Sequence, residues 1–190
     1  QAFSMLLDRD GYNDTINNAG AFRDAGLDLP TTRATIVGSG WTGYWLDPLG
    51  KDFGDNAKYL NFNVAEAKKL LAAAGFANGF SFDYFYNREG TYGPAYTQTA
   101  QLYAGMVAAG GMNATMQGQT YANWLPNFYF SYNQANYAAG KVHGYNGTQQ
   151  IAERPYVSST NLLAGSFHKD GANFHGLSVD GKNAHMGDAK

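Results

Sequence analysis

Between Asn63 and Gln117 the hydrophobic period switches from helical to alternating and back again, and this constrains the fold more than any other feature of the chain. Asn63 is a good N-cap, Glu66 stands three residues on as in a capping box, and Gly75 is a natural C′ stop. Val64, Ala67, Leu70, Leu71 and Ala74 make one apolar stripe, leaving Glu66, Lys68 and Lys69 to water. Phe80-Ser81-Phe82-Asp83-Tyr84-Phe85-Tyr86 then alternates as a strand does and stops at Asn87-Arg88-Glu89-Gly90. Residues 94–109 form a second helical stretch, opened by Pro94 and closed by Gly110-Gly111. Met112 to Gln117 returns to period two. Alternation of this kind predicts an α/β layered domain with a partly parallel sheet.

The flanks are less regular. Residues 2–17 carry Phe3, Leu6, Leu7 and Ile16 opposite Asp8, Arg9 and Asp10, an amphipathic helix weakened in its second half by Gly11. The chain starts in what looks like mid-helix with no initiator Met and reads as an excised piece of something longer. Residues 20–60 form a long loop rich in Gly and Trp, a length that in a compact domain is usually functional or wraps another part of the protein. Thr120 caps a further helix from Tyr121 toward Ala138, limited or kinked by Pro126, and Lys141 to Tyr145 reads as a third strand. Residues 165–190 carry repeated Gly and no periodic apolar face, and read as an irregular tail.

At 190 residues the chain is one compact domain or one lobe of something larger. Its 13 basic and 15 acidic side chains give a net charge of -2, so no field of one sign exists to steer nucleic acid or an anionic membrane. The absence of Cys removes disulfides, thiolate catalysis and Cys-based zinc sites together. No run of 18 apolar residues is present. The chemistry motifs are equally sparse. His143, His168, His175 and His185 have no metal-ligand spacing, and no nucleophile elbow or phosphate-binding loop occurs, so neither a metal nor a cofactor is expected.

Two constellations remain. Asp83, Glu89 and Glu153 could supply the carboxylate pair of a glycosidase-type carbohydrate-active enzyme, with exposed surface charge as the plainer reading. Trp41, Tyr44 and Trp45 on the long loop, with Tyr145 at a strand end, could line a ligand cleft. Aromatic faces stack on sugar rings or peptide side chains, and neighbouring amides both donate and accept. The same rings could instead fill a core beneath the loop, as in a purely structural surface domain.

Taken whole, Phe62-Asn63-Val64-Ala65-Glu66-Ala67-Lys68-Lys69-Leu70-Leu71-Ala72-Ala73-Ala74-Gly75-Phe76 resembles the A-K-x-L-L-x-x-A-G-aromatic segment of family 5 extracellular solute-binding proteins. These are the peptide- and oligosaccharide-binding components of ABC importers. Gln1 to Arg9 is similar to that family's R-x-A-x-x-x-A-I-D-R helix. Leu102 to Gln117 looks like its L-x-x-x-G-I helix end and following strand, and Tyr121-Ala122-Asn123-Trp124-Leu125 like the start of its next helix. The resemblance runs over roughly residues 1–175. Departures sit at Asn63-Val64, where the family has Asp-Pro, and at Gly144-Tyr145-Asn146-Gly147-Thr148, where it commonly has G-W-x-x-D. An aromatic is kept there but the acid is not, and Val142-His143 stand where some peptide binders carry an Arg.

The resemblance implies one lobe of a type II periplasmic-binding-protein-like fold, a partly parallel sheet flanked by helices, taken from a two-lobed protein that closes on its ligand. It implies a non-enzymatic receptor, periplasmic or extracellular, with the first lobe and any lipid-anchored Cys outside these residues. Its partners would be a small peptide or oligosaccharide ligand and the membrane permease of an ABC importer, without nucleic acid. The missing charged clamps tilt the ligand toward an uncharged one. Gly144 and Tyr145 are expected at the cleft edge, Trp41, Tyr44 and Trp45 as a stacking platform, and Asn173 as a further polar contact.

Overall fold

In a computed structural model the chain is described at residues 1–27, 32, 33, 35, 37–129, 147–150 and 158–168. The elements are α1 (Ala2–Leu6), α2 (Arg9–Ile16), α3 (Ala19–Asp24), short 3-10 helices at Lys51–Phe53 and Asp55–Leu60, and α4 (Val64–Ala73). They continue with β1 (Phe80–Asn87), a 3-10 helix at Gly90–Tyr92, α5 (Pro94–Ala108), β2 (Met112–Gln119), α6 (Tyr121–Trp124), β3 (Gly147–Gln149) and α7 (Ser159–Phe167). The strands form one sheet in the order β2-β1-β3. Phe80 N donates to the Gly111 carbonyl at the start of β1, and Arg88 N to the Gln119 carbonyl just past its end. Both strands therefore run the same way, as the helix–strand alternation predicts, and α5 makes the crossover that parallel neighbours require.

The chain separates into two compact units, Gln1–Tyr84 with Gly93–Met116, and Phe85–Tyr92 with Gln117–Lys190. In the first unit α1 packs on α4 and α5, and α2 on α3 and α5. Met5, Leu6, Ala67, Leu71, Phe82, Tyr84, Ala100 and Val107 are buried there. The Tyr84 phenol is pushed well above its ordinary value, first by burial and then by Tyr103. Gly79 and Gly111 both have positive φ (75° and 92°) and abut backbone to backbone, so a Cβ on Gly79 would strike the Gly111 carbonyl.

The helix at 64 keeps its expected limits. Asn63 Oδ1 accepts from Glu66 N at 3.0 Å, and Gly75 at φ 90° ends it. The capping box is only half formed. Asn63 N donates to the Met5 carbonyl at 2.8 Å, tying α4 to α1, while Glu66 pairs with Lys69 at 3.0 Å.

The single helix expected over 2–17 is two. Leu7 is extended, and the Asp8 carboxylate caps a new helix by accepting from Gly11 N. Gly11 leaves room for that carboxylate, since a Cβ there would press on it. Arg9 closes the break: Nη1 donates to the carbonyls of Ser4, Leu7 and Leu60 at 3.0, 3.2 and 2.9 Å, and Nη2 to Ser4 Oγ at 2.9 Å.

Further differences lie downstream. Within residues 20–60 the chain forms α3 and the two 3-10 helices rather than loop alone. After α6 the backbone widens to a π-helix over Leu125–Tyr129, around Pro126, whose ring cannot donate. The strand expected over 141–145 lies outside the described residues, and the third strand seen is Gly147–Gln149. The helix Ser159–Phe167, capped by Ser158 accepting from Asn161 N, has no counterpart in the sequence reading.

Replacing Arg9 by Lys is expected to lower stability by about 1.5–3 kcal/mol, because a single ammonium cannot occupy the places of both Nη1, which serves the three carbonyls, and Nη2, which serves Ser4 Oγ. Urea unfolding of Arg9→Lys against the parent measures it, and an unchanged midpoint would show the three carbonyls to be satisfied otherwise.

Candidate functional site

In parallel sheets ligands bind outside the carboxyl ends of the strands. In the second unit the ends of β1 and β2 carry Asn87 and Gln119. Asn87 is fully buried, and its Oδ1 accepts from Glu89 N at 3.0 Å, turning the chain off the strand. Its Nδ2 meets no acceptor among the described residues. A buried donor left this way is costly, and a ligand oxygen is one group that can satisfy it.

Glu89 Oε2 accepts from Tyr121 N at 2.7 Å, fixing the loop after β1 to the start of α6. Thr120 caps α6 by accepting from Asn123 N. From Gln119 an amide chain runs along this helix: Asn123 Nδ2 donates to Gln119 Oε1 at 2.6 Å, and Asn127 Nδ2 to Asn123 Oδ1 at 2.7 Å. Beside it stand Tyr92, Tyr121 and Trp124, with Tyr92 edge-on to the other two at 5.9 and 6.0 Å and Tyr121 stacked on Trp124 at 6.5 Å. Trp124 is fully buried and backs this aromatic wall. Phe85 and Phe128 stack at 4.6 Å in the same unit. Amide groups next to ring faces suit hydrogen bonding and stacking on an uncharged solute.

The positions singled out in the sequence divide. Trp41, Tyr44 and Trp45 come together in one turn, with Tyr44 N and Trp45 N both donating to the Trp41 carbonyl. Trp45 is anchored at its edge, its Nε1 donating to the Arg33 carbonyl at 3.2 Å. Trp41 and Trp45 are half-buried, while Tyr44 is 68% exposed, so the loop is not the sealed core that a purely structural domain would need. Gly144, Tyr145 and Asn173 lie outside the described residues, as does Glu153 of the carboxylate set. Glu89 is held as an acceptor for a backbone N–H, and Asp83 is half-buried on β1. Among the described residues no group of three or more His, Cys, Asp or Glu could hold a metal ion, and no helix is long and apolar enough to cross a membrane.

Asn87, Gln119, Asn123, Tyr92, Tyr121 and Trp124 were not singled out from sequence. The one available signal was position: Asn87 opens the turn that stops an alternating strand, where a parallel sheet places its ligands.

Residues 1–160 match the family described as bacterial extracellular solute-binding proteins, family 5 Middle. The chain belongs to that family of solute-binding proteins. It is similar in fold to the periplasmic binding protein AgaA from A. tumefaciens R10, solved with agropinic acid (TM-score 0.55, 19% identity, 91% of this chain and 30% of that one). It is also similar to the oligopeptide-binding protein AppA from Bacillus subtilis, solved with a nonapeptide (TM-score 0.54, 14% identity, 90% of this chain and 31% of that one). A third is the substrate-binding protein CtaP from Listeria monocytogenes (TM-score 0.55, 14% identity, 91% and 30%). The chain thus spans about 30% of the length of these solved proteins. No curated protein matches it. The periplasmic-binding-protein lobe expected from sequence is the fold observed.

Glu89→Ala removes the acceptor that pins α6 to the β1 loop, and is expected to cost about 0.5–1.5 kcal/mol. Amide hydrogen exchange at Tyr121 should quicken in the variant, and an unchanged rate would deny Glu89 that role.

Proposed function

We propose that this chain is part of the substrate-binding component of an ABC importer, which captures an oligopeptide or oligosaccharide between two lobes and delivers it to the membrane permease. The observation that carries this reading is the pairing of family membership with a strand-end surface built for recognition. Asn87 buries an amide donor there that has no acceptor among the described residues, and an amide chain runs beside an aromatic wall. That surface offers donors, acceptors and ring faces, which is the equipment of a binder.

The reading includes a protein that is not an enzyme and acts outside the cytoplasmic membrane. The other lobe would come from parts of the same protein beyond this chain, which spans only about 30% of its solved relatives. Gly144 and Tyr145 belong at the cleft edge, Asn173 contributes a polar contact, and Tyr44 is the most accessible ring of the Trp41–Trp45 turn. Hinge closure explains why each lobe would supply only part of the contacts. A peptide or another small solute is in keeping with the solved ligands of the similar structures, a nonapeptide for AppA and agropinic acid for AgaA. The glycosidase-type alternative is not favoured, since Glu89 is engaged as a structural acceptor.

Calorimetric titration of the full-length protein with oligopeptide and oligosaccharide panels tests the proposal. We expect saturable binding to one class without turnover, and Tyr145→Ala to weaken it about tenfold or more, as loss of an aromatic anchor does. Hydrolysis of a bound ligand would overturn the reading, and an unchanged dissociation constant in Tyr145→Ala would remove Tyr145 from the site.

A further inference from the structure

The first unit holds a cavity of about 470 Å³ that solute capture at the strand ends does not use. Arg9, Arg33, Tyr12 and Tyr103 line it together with Asp10 and Thr32. Its volume lies within the usual range for small-molecule sites, about 300–1,000 Å³.

Charge in this wall is out of balance. Two guanidinium groups face one carboxylate, and that carboxylate is a poor partner. Asp10 approaches Arg33 only to 3.5 Å, and its side chain is 75% exposed while that of Arg33 is 19% exposed. Water screens such a pair to a small value. Arg9 forms no ion pair among the described residues; its partners are three carbonyls and a hydroxyl. Arg33 Nη1 donates to Asn61 Oδ1 at 2.9 Å and to the Leu60 carbonyl at 3.3 Å. Both arginines thus reach the Leu60 carbonyl, which sets two like charges close together in a half-buried place.

That closeness is felt electrostatically. Arg9 is held below its ordinary pKa, first by burial and next by the charge of Arg33, with Tyr103 opposing. Each guanidinium has five N–H donors, and among the described residues the Nε–H of neither arginine has an acceptor. Tyr12 and Tyr103 stack at 5.5 Å and 27°, giving the cavity a flat apolar wall next to the cations. The Tyr103 phenol is raised by burial and Tyr12, so it stays protonated and able to donate.

From this arrangement we propose that the cavity binds a small carboxylate, its oxygens taken by Arg9 and Arg33 and any flat apolar body laid against Tyr12 and Tyr103. One negative charge matches the surplus of two cations over one anion. A planar carboxylate suits guanidinium forks, and it would relieve the repulsion between them. This site is separate from the strand-end surface, and a carboxylate here would steady the junction where α2 begins.

The test uses the full-length protein with sodium benzoate, sodium acetate and inorganic phosphate, each at ionic strength matched by sodium chloride. Benzoate should raise the melting temperature saturably, acetate less so, and both should shift the Arg9 and Arg33 Nε–H resonances. Arg33→Gln should abolish the saturable response. Tyr12→Leu, which keeps both cations but loses the flat wall, should weaken benzoate several-fold and leave acetate nearly unchanged. A response to phosphate alone would replace the carboxylate with a tetrahedral oxyanion and overturn the proposal. So would a benzoate effect no greater than that of chloride, or Arg resonances that do not move; these wild-type readings stand even if a variant fails to fold.

Discussion

Arg9 is the contact on which the first unit depends. The chain breaks at Leu7, where Asp8 caps a new helix, and α1 ends with the Ser4 carbonyl accepting a 3.3 Å backbone bond from Leu7 N. A single guanidinium gathers the carbonyls of Ser4 and Leu7 with that of Leu60, fifty-one residues away in sequence from Arg9. The 3-10 helix Asp55–Leu60 is thereby fastened to α1, which Asn63 N also ties to α4 through the Met5 carbonyl. Local capping chemistry at one residue thus fixes how a distant segment packs. The same arginine, drawn close to Arg33 by the shared Leu60 carbonyl, gives this unit its unbalanced cavity.

Much of the framework is written locally and can be read without coordinates. The helix at Val64 has a cap, a stripe and a stop within a dozen residues, and β1, α5 and β2 carry their own period and glycine punctuation. What could not be read depends on partners far along the chain. Phe3, Leu6 and Leu7 lie before the α1–α2 break and Ile16 after it, positions that one helix could also carry, and it is the return of the Asp8 carboxylate to Gly11 N that starts the second helix. The last helix, Ser159–Phe167, was missed because its cap is followed by Asn161 instead of an acid and Gly165 interrupts its apolar run.

The site was less legible than the fold, for a physical reason. Catalytic and metal centres need particular residues at particular spacings, but a surface for stacking and hydrogen bonding needs only common amides and rings brought together by topology. Asn87, Gln119 and Asn123 are ordinary residues until the ends of parallel strands collect them. Trp41 and Trp45 are conspicuous in sequence, but that they share one turn in which Trp45 Nε1 is tied to the Arg33 backbone could not be read there. Family resemblance, carried by the A-K-K-L-L segment, located the fold and the solute-binding class where composition alone could only exclude alternatives.

The most direct measurement is hydrogen–deuterium exchange on the full-length protein with and without a solute that it binds. We expect protection to concentrate at residues 87–92 and 119–127, where the strand-end amides and rings gather, with little change around the Arg9 junction. Protection confined to the first unit, with the strand ends exchanging as fast as in the free protein, would contradict the proposed recognition surface.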